Sequence, residues 1–261
     1  MVLGLAACSG SGGGEDEESE EVVLFIEADL GDETADIEPQ TLMESIAAVL
    51  ERRAEAFGAK EIDIQIDGTR LTATLGSGMS ADEARQVFLK RGILDIRQPF
   101  RNPEGNIVCQ PASGERFAVP TEAIAYDTSD PAARPLPRCA GEGGQTGDIV
   151  WASPANPGAE ATVGLPLAVA SAEVDRTQAA AVFITLDSQG TVNLQQITAG
   201  LLGFPLGIFV DGELMAGPTV EEAILDGLLV IAGLPLPAAD ILAAQIGSGS
   251  IPFTLTEAAP D

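Results

Sequence analysis

Ile62-Asp63-Ile64-Gln65-Ile66-Asp67-Gly68-Thr69-Arg70-Leu71-Thr72-Ala73-Thr74-Leu75 is the stretch that decides the fold. Isoleucine at every second position, with acids and an amide between, predicts a half-buried strand. Asp67-Gly68 is a hairpin turn signal, and Leu71, Ala73 and Leu75 resume the alternation on the returning strand. Upstream, Pro39 and Thr41 open a helix in which Leu42, Ile46, Val49, Leu50 and Phe57 recur at helical spacing until Gly58 closes it. Before that helix, Val22-Val23-Leu24-Phe25-Ile26 is β-branched and aromatic and reads as a strand. Downstream, Ser80 and Glu83 are spaced as a capping box, Gly92 ends the helix they start, and Ile93-Leu94-Asp95-Ile96-Arg97 is the final strand. The order βαββαβ over residues 22–98 is that of a ferredoxin-like sandwich, and the fold class is α+β.

Beyond this base subdomain, residues 99–165 are rich in Pro, Gly and Ala with little periodicity, an irregular insertion of short strands and loops. Order returns in residues 166–256, a second α+β unit. Ala181–Leu186 reads as a strand and Asn193–Leu202 as a helix. Leu206-Gly207-Ile208-Phe209-Val210 turns through Asp211-Gly212 into Glu213-Leu214-Met215. Thr219–Leu225 is open between helix and strand, and Leu229-Val230-Ile231 is a strand. Pro237 suits the first turn of a helix running to Ile246, Ile251–Leu255 is a last strand that is free to rejoin the base, and residues 257–261 are a tail.

Charge and composition exclude whole classes of function. Against 13 Lys+Arg stand 40 Asp+Glu, a net charge of −27 over 261 residues. That field repels a polyphosphate, so no nucleic-acid partner is expected, and docking of the folded body on an anionic membrane is disfavoured. There is no histidine, which removes Ser-His and Cys-His nucleophiles and imidazole-ligated zinc. Residues 15–21, Glu-Asp-Glu-Glu-Ser-Glu-Glu, lack the alternating ligand spacing of a calcium loop; they are a self-repelling tether, and no metal or cofactor is expected. As a flexible coil of about 14 residues, the tether sets the body roughly 20 Å from whatever holds its start.

Leu5-Ala6-Ala7-Cys8, followed by Ser and Gly, resembles a bacterial lipobox, in which the signal peptide is cut before the cysteine and its sulfur is lipidated. Only a stub precedes Cys8, where a signal peptide needs an apolar stretch of about 7–15 residues, so the true start is expected upstream of residues 1–8. With Cys8 lipidated, Cys109 and Cys139 remain as an even pair in an oxidising compartment; two reduced structural thiols are the alternative. The longest apolar run, Leu228 to Ala239, is broken by Pro235 and Pro237 and falls short of the ~18–20 residues of a membrane span.

Leu50-Glu51-Arg52-Arg53-Ala54-Glu55-Ala56-Phe57-Gly58 is similar to the arginine-pair helix of the SecD family, and Ser80-Ala81-Asp82-Glu83-Ala84 to its acidic-Glu-Ala helix. Ile93–Arg97 stands where that family has a Leu-Glu-Phe-Arg strand. The hairpin Leu206–Pro218, Gly233, the helix Ala238–Ile246 and Gly249-Ser250-Ile251-Pro252 resemble the family's head portion. The chain therefore resembles the first periplasmic domain of SecD, base and head, over roughly residues 21–97 and 181–255. SecD works with SecF on the proton gradient, through membrane helices to which nothing here corresponds. The resemblance implies the fold and a surface that meets an unfolded secretory polypeptide or a Sec translocon component at the outer face of the cytoplasmic membrane. It does not imply proton-driven activity. The apolar hairpin residues Leu206, Ile208, Phe209, Leu214 and Met215 are the candidate contacts, weighed against plain packing. The competing readings are a small-ligand-binding lipoprotein and an envelope hydrolase using paired carboxylates. For the hydrolase, the acids within apolar stretches are Asp95, Asp211 and Asp226, and solvation is the ordinary expectation for Asp95 and Asp211.

Overall fold

The computed structural model describes residues 21–31, 37–126, 134–176 and 180–260. Cys8 and most of the acidic tether lie outside the described residues. In chain order the first elements are β1 (Val22–Asp29), α1 (Pro39–Phe57), β2 (Ile62–Asp67), β3 (Arg70–Leu75), α2 (Ala81–Phe88) and β4 (Leu94–Pro99). Short strands follow: β5 (Ile107–Gln110), β6 (Phe117–Val119), β7 (Ile124–Tyr126), β8 (Pro137–Ala140), β9 (Thr146–Ile149), β10 (Trp151–Ser153), β11 (Asn156–Glu160) and β12 (Leu165–Pro166). The rest comprises β13 (Val169–Asp175), β14 (Ala181–Leu186), α3 (Ser188–Ala199), β15 (Gly207–Val210), β16 (Glu213–Ala216), β17 (Leu228–Ala232), α4 (Leu236–Gly247) and β18 (Thr254–Glu257).

The base is a four-stranded antiparallel sheet in the order β18-β1-β3-β2. The Asp67-Gly68 hairpin pairs Ile62 with Leu75 through Asp67 with Arg70. Alternation buries Leu71, Ala73 and Leu75 against Leu24, Ile26, Met43, Ile46, Leu50, Val87 and Phe88. Gly58, left-handed at φ 107°, ends α1 and donates its N–H to Ala54 O and Glu55 O. At the start of α2, the Glu83 carboxylate accepts the Ser80 N–H at 2.9 Å and its hydroxyl at 2.7 Å. The hydroxyl bond, then the backbone bond, holds Glu83 below the usual carboxylate range. Ser80→Ala is expected to cost about 1 kcal/mol, read as a lower urea midpoint with unchanged slope. Because the folded Glu83 value is depressed, this stabilisation is present above the unfolded carboxylate range and lost as pH falls through the folded value. The gap between wild type and Ser80→Ala is therefore expected to narrow in acid.

The fourth position of the ferredoxin-like sheet is taken by β18, not by the strand that follows α2. β4 leaves the base and lies inside a second sheet, in the order β11-β10-β4-β15-β16 with β12 also pairing β4. Every residue of β4 is buried, and both of its edges are paired, one with β15 and the other with β10 and β12. What lets it be buried is its own chemistry: Asp95 and Arg97, two apart and so on one face, neutralise each other at 2.8 Å. β18 alternates Leu255 inward with exposed neighbours, as an edge does, and begins three residues later than the expected Ile251.

In the head, β13-β14-β17 form a three-stranded antiparallel sheet whose inner face buries Val182, Ile184, Leu186, Leu229 and Ile231. α3 begins earlier than expected, because the Asp187 side chain accepts the Gly190 N–H at 2.7 Å and caps it. Thr219–Leu225 forms neither helix nor strand. α4 is apolar nearly all round and is shared: Leu242, Ala243 and Ile246 pack in the head core, and Ala244 packs in the base. The insertion is more regular than its composition predicts, a five-stranded sheet in the order β6-β5-β9-β8-β7. A disulfide joins Cys109 of β5 to Cys139 of β8 inside a small core completed by Ile107, Val119 and Ile149.

Candidate functional site

The hairpin expected to meet a partner faces inward. Leu206, Ile208 and Met215 belong to the head core, Phe209 is buried on the opposite face, and Leu214 is half-buried. β15 is flanked by β4 and β16 and covered on both faces, so its apolar side chains are consumed in packing. Leu206, Ile208 and Phe209 are thus held in packing, Leu214 keeps partial exposure, and Met215 reaches the wall of the groove described below.

The three carboxylates weighed as catalytic groups also have structural partners. Asp95 is buried, against the expectation of solvation: it accepts Arg97 Nε at 2.8 Å, Arg97 Nη2 at 3.1 Å and the Gly164 N–H at 3.0 Å. A Cβ at Gly164 would stand 2.2 Å from Asp95 Oδ1, so only glycine brings that N–H so close. The Arg97 guanidinium lies 3.8 Å above the Phe209 ring, which meets Trp151 edge-on at 5.6 Å. Asp211, left-handed at φ 51°, accepts the N–H groups of Gly92 at 3.1 Å and Ile93 at 2.8 Å. Asp226 is exposed and accepts the Leu228 N–H at 3.1 Å. Among the described residues no group of His, Cys, Asp and Glu is placed to hold a metal ion.

One open feature among the described residues of the head is a groove of about 540 Å³ where the insertion meets the head sheets, walled by Tyr126, Arg134, Met215, Pro218, Val230 and Gly233. On one side, the carbonyls of and just beyond β16 are already engaged. Arg134 Nη1 donates to Met215 O at 3.2 Å and Nη2 to Glu213 Oε1 at 3.4 Å. The Tyr126 hydroxyl donates to Gly217 O at 2.9 Å. On the other side lies β17, whose Leu228 and Val230 are exposed on the outer face of the head sheet, Val230 opposite the exposed Phe183. Apolar walls, exposed aliphatic side chains and edge peptide groups suit recognition of an extended chain. Reading the sequence alone passed over Tyr126 and Arg134, which reach the groove only through the fold of the insertion. β17 did carry a signal: Leu228-Leu229-Val230-Ile231-Ala232 is apolar at every position, so both faces need cover and only one is given it.

Residues 159–253 match the family model described as SecDF, P1 head subdomain. The protein translocase subunit SecDF of Thermus thermophilus is 30% identical over 227 residues, 85% of this chain and 28% of that protein. The protein translocase subunit SecD of Rickettsia conorii is 32% identical over 93 residues, 35% of this chain and 18% of that protein. The chain thus spans less than a third of the length of these curated relatives. The crystal structure of SecDF in its super-membrane-facing form superposes on 91% of this chain and 29% of its own, with a TM-score of 0.59 and 23% identity. A second structure, of SecDF as a membrane component that enhances protein export, covers 92% of this chain and 99% of its own at a TM-score of 0.59 and 22% identity. The chain is SecD-like, and its mixed α+β fold resembles the periplasmic P1 domain of SecDF. No helix among the described residues is long and apolar enough to cross a membrane.

Proposed function

We propose that this SecD-like chain is a translocation-accessory module that works outside the cytoplasm, engaging unfolded secretory polypeptides or a Sec translocon component without catalysis or proton drive of its own. The observation that carries the reading is the extent of the likeness: it runs through base and head together, 85% of the chain, and not through one motif. The Cys109–Cys139 disulfide suits an oxidising compartment, and lipid on Cys8 would hold the body near the membrane through its acidic tether. A non-enzymatic role is supported by the structural engagement of Asp95, Asp211 and Asp226. In this reading the working parts are the base (22–98, completed by β18), the insertion (99–165) and the head (166–256).

The test is binding of residues 21–261 to one secretory polypeptide held unfolded and to the same polypeptide folded, at low and high salt. Preference for the unfolded form at both salts is expected, since screening removes charge attraction but leaves contact. Equal binding of both forms, or of neither, overturns the proposal.

A further inference from the structure

We propose that the outer edge of β17 is a strand-docking site for an extended polypeptide segment, apolar at alternate residues and bordered by lysine or arginine. This rests on the reading of the chain as a polypeptide-binding module and adds to it a place, a geometry and a sequence preference.

The register decides which peptide groups face outward. The Leu186 N–H donates to Gly227 O at 3.0 Å, which makes Thr185 and Leu228 a pair that does not exchange hydrogen bonds. Alternation then repeats that state at Phe183 opposite Val230 and at Ala181 opposite Ala232. Leu228, Val230 and Ala232 therefore turn their N–H and C=O groups away from β14, toward the free edge. The Leu228 N–H is found where this places it, bonded to the Asp226 carboxylate and not to β14. The outward groups of Val230 and Ala232 make no hydrogen bond with any described residue. Both residues line the groove. The same three residues carry their side chains on the outer face, so peptide donors and acceptors and apolar surface are presented together. Edge strands in monomeric proteins are usually blunted by lysine, proline or a bulge, and β17 has none of these.

Charge names the rest of the ligand. Glu221 lines the groove, Glu222 follows it in the chain, Asp226 stands at the start of the edge and Glu213 is bonded to Arg134 of the groove wall, all four acids exposed. Arg134, the cation lining the groove, is paired with Glu213. A segment whose apolar core is flanked by cations meets this surface with complementary charge, within a molecule of net charge −27.

The probe is a short peptide of alternating Val and Thr with two lysines at each end, compared with the same peptide N-methylated at every second residue in either phase. N-methylation in the bonding phase is expected to weaken binding at least about tenfold, the other phase little. Val230→Pro is expected to do the same, because it removes an N–H that the ladder with β14 does not use. Should that variant fail to fold, Val230→Lys supplies the same loss by placing a charge on the edge. Peptide binding that ignores both N-methylation phases and the Val230 variants overturns the edge, and unfolded-polypeptide binding in the same samples would leave the proposed function standing. Edge-dependent peptide binding without recognition of unfolded polypeptide keeps the edge and removes that function. No binding of either overturns both.

Discussion

Arg53→Met is expected to lower the stability of the protein by about 3–5 kcal/mol, the scale for taking a charged donor from several buried carbonyls at once. Arg53 sits on α1 with no exposure, and its guanidinium donates to four main-chain carbonyls: Val87 O, Lys90 O, Arg91 O and Gly249 O. Burial draws it from the ordinary guanidinium range down to about 10, with Asp211 pulling the other way, so it stays charged at neutral pH. Methionine fills the space but takes a donor from all four carbonyls; Arg91 O keeps the Ile251 N–H at 2.7 Å, and a carbonyl left with none costs about 1–3 kcal/mol where water cannot reach. The position of these carbonyls makes the loss more than local. Lys90 and Arg91 lead the chain from the base into β4, and Gly249 lies where it returns from α4 to β18. Arg52 and Arg91 hold the same return, through Ser248 O and Pro252 O. With both crossings loosened, urea unfolding is expected to split into two transitions where the wild type shows one. Arg53→Lys, which keeps the charge but not the fork of donors, is expected to fall between. A loss below about 1 kcal/mol with a single transition would sink this account.

Breaking the Cys109–Cys139 bond, by reduction or by the double serine variant, is expected to unfold the insertion while base and head persist. The bridge closes a separation of 30 residues, worth roughly 3–4 kcal/mol in chain entropy. It also supplies two of the five buried residues of that core, and no sheet so small holds itself together on three side chains. Trp151, the single tryptophan, packs against this core and against Phe209, so its emission is expected to shift to the red. Tyr126 and Arg134 enter the groove from this insertion, so unfolded-polypeptide binding is expected to weaken with it. Unchanged emission after thiol titration confirms full reduction would refute the staple.

The parts legible in the sequence are those whose signals are local. Alternating isoleucines, Asp67-Gly68, the Ser80–Glu83 box and Gly58 specify their own elements, because each acts within a few residues. The partner of a strand is not a local property. β4 alternates like any half-buried strand, and only the Asp95–Arg97 pairing two residues apart hints that both faces will be covered. The hairpin Leu206–Met215 was conspicuous for its apolarity, yet apolarity alone does not distinguish a docking surface from a core, and here it marks a core. The groove went unseen for the opposite reason: Tyr126 and Val230 are more than a hundred residues apart and meet only through the folded insertion. Arg53 stood in view as half of an arginine pair, with nothing in its neighbours to say it would be the buried one.

β18 lies against β1, with the Ala258 N–H bonded to Phe25 O at 2.8 Å. The first and last strands of the described chain are thus neighbours in one sheet, and the backbone enters and leaves at the same corner. A unit tied off in this way behaves like a bead closed at its own knot. It can be spliced between two segments of another polypeptide without prising its fold apart, and tension on its two ends would unzip β18 from β1 one rung at a time, drawing Leu255 out of the base core before the pull reached the head.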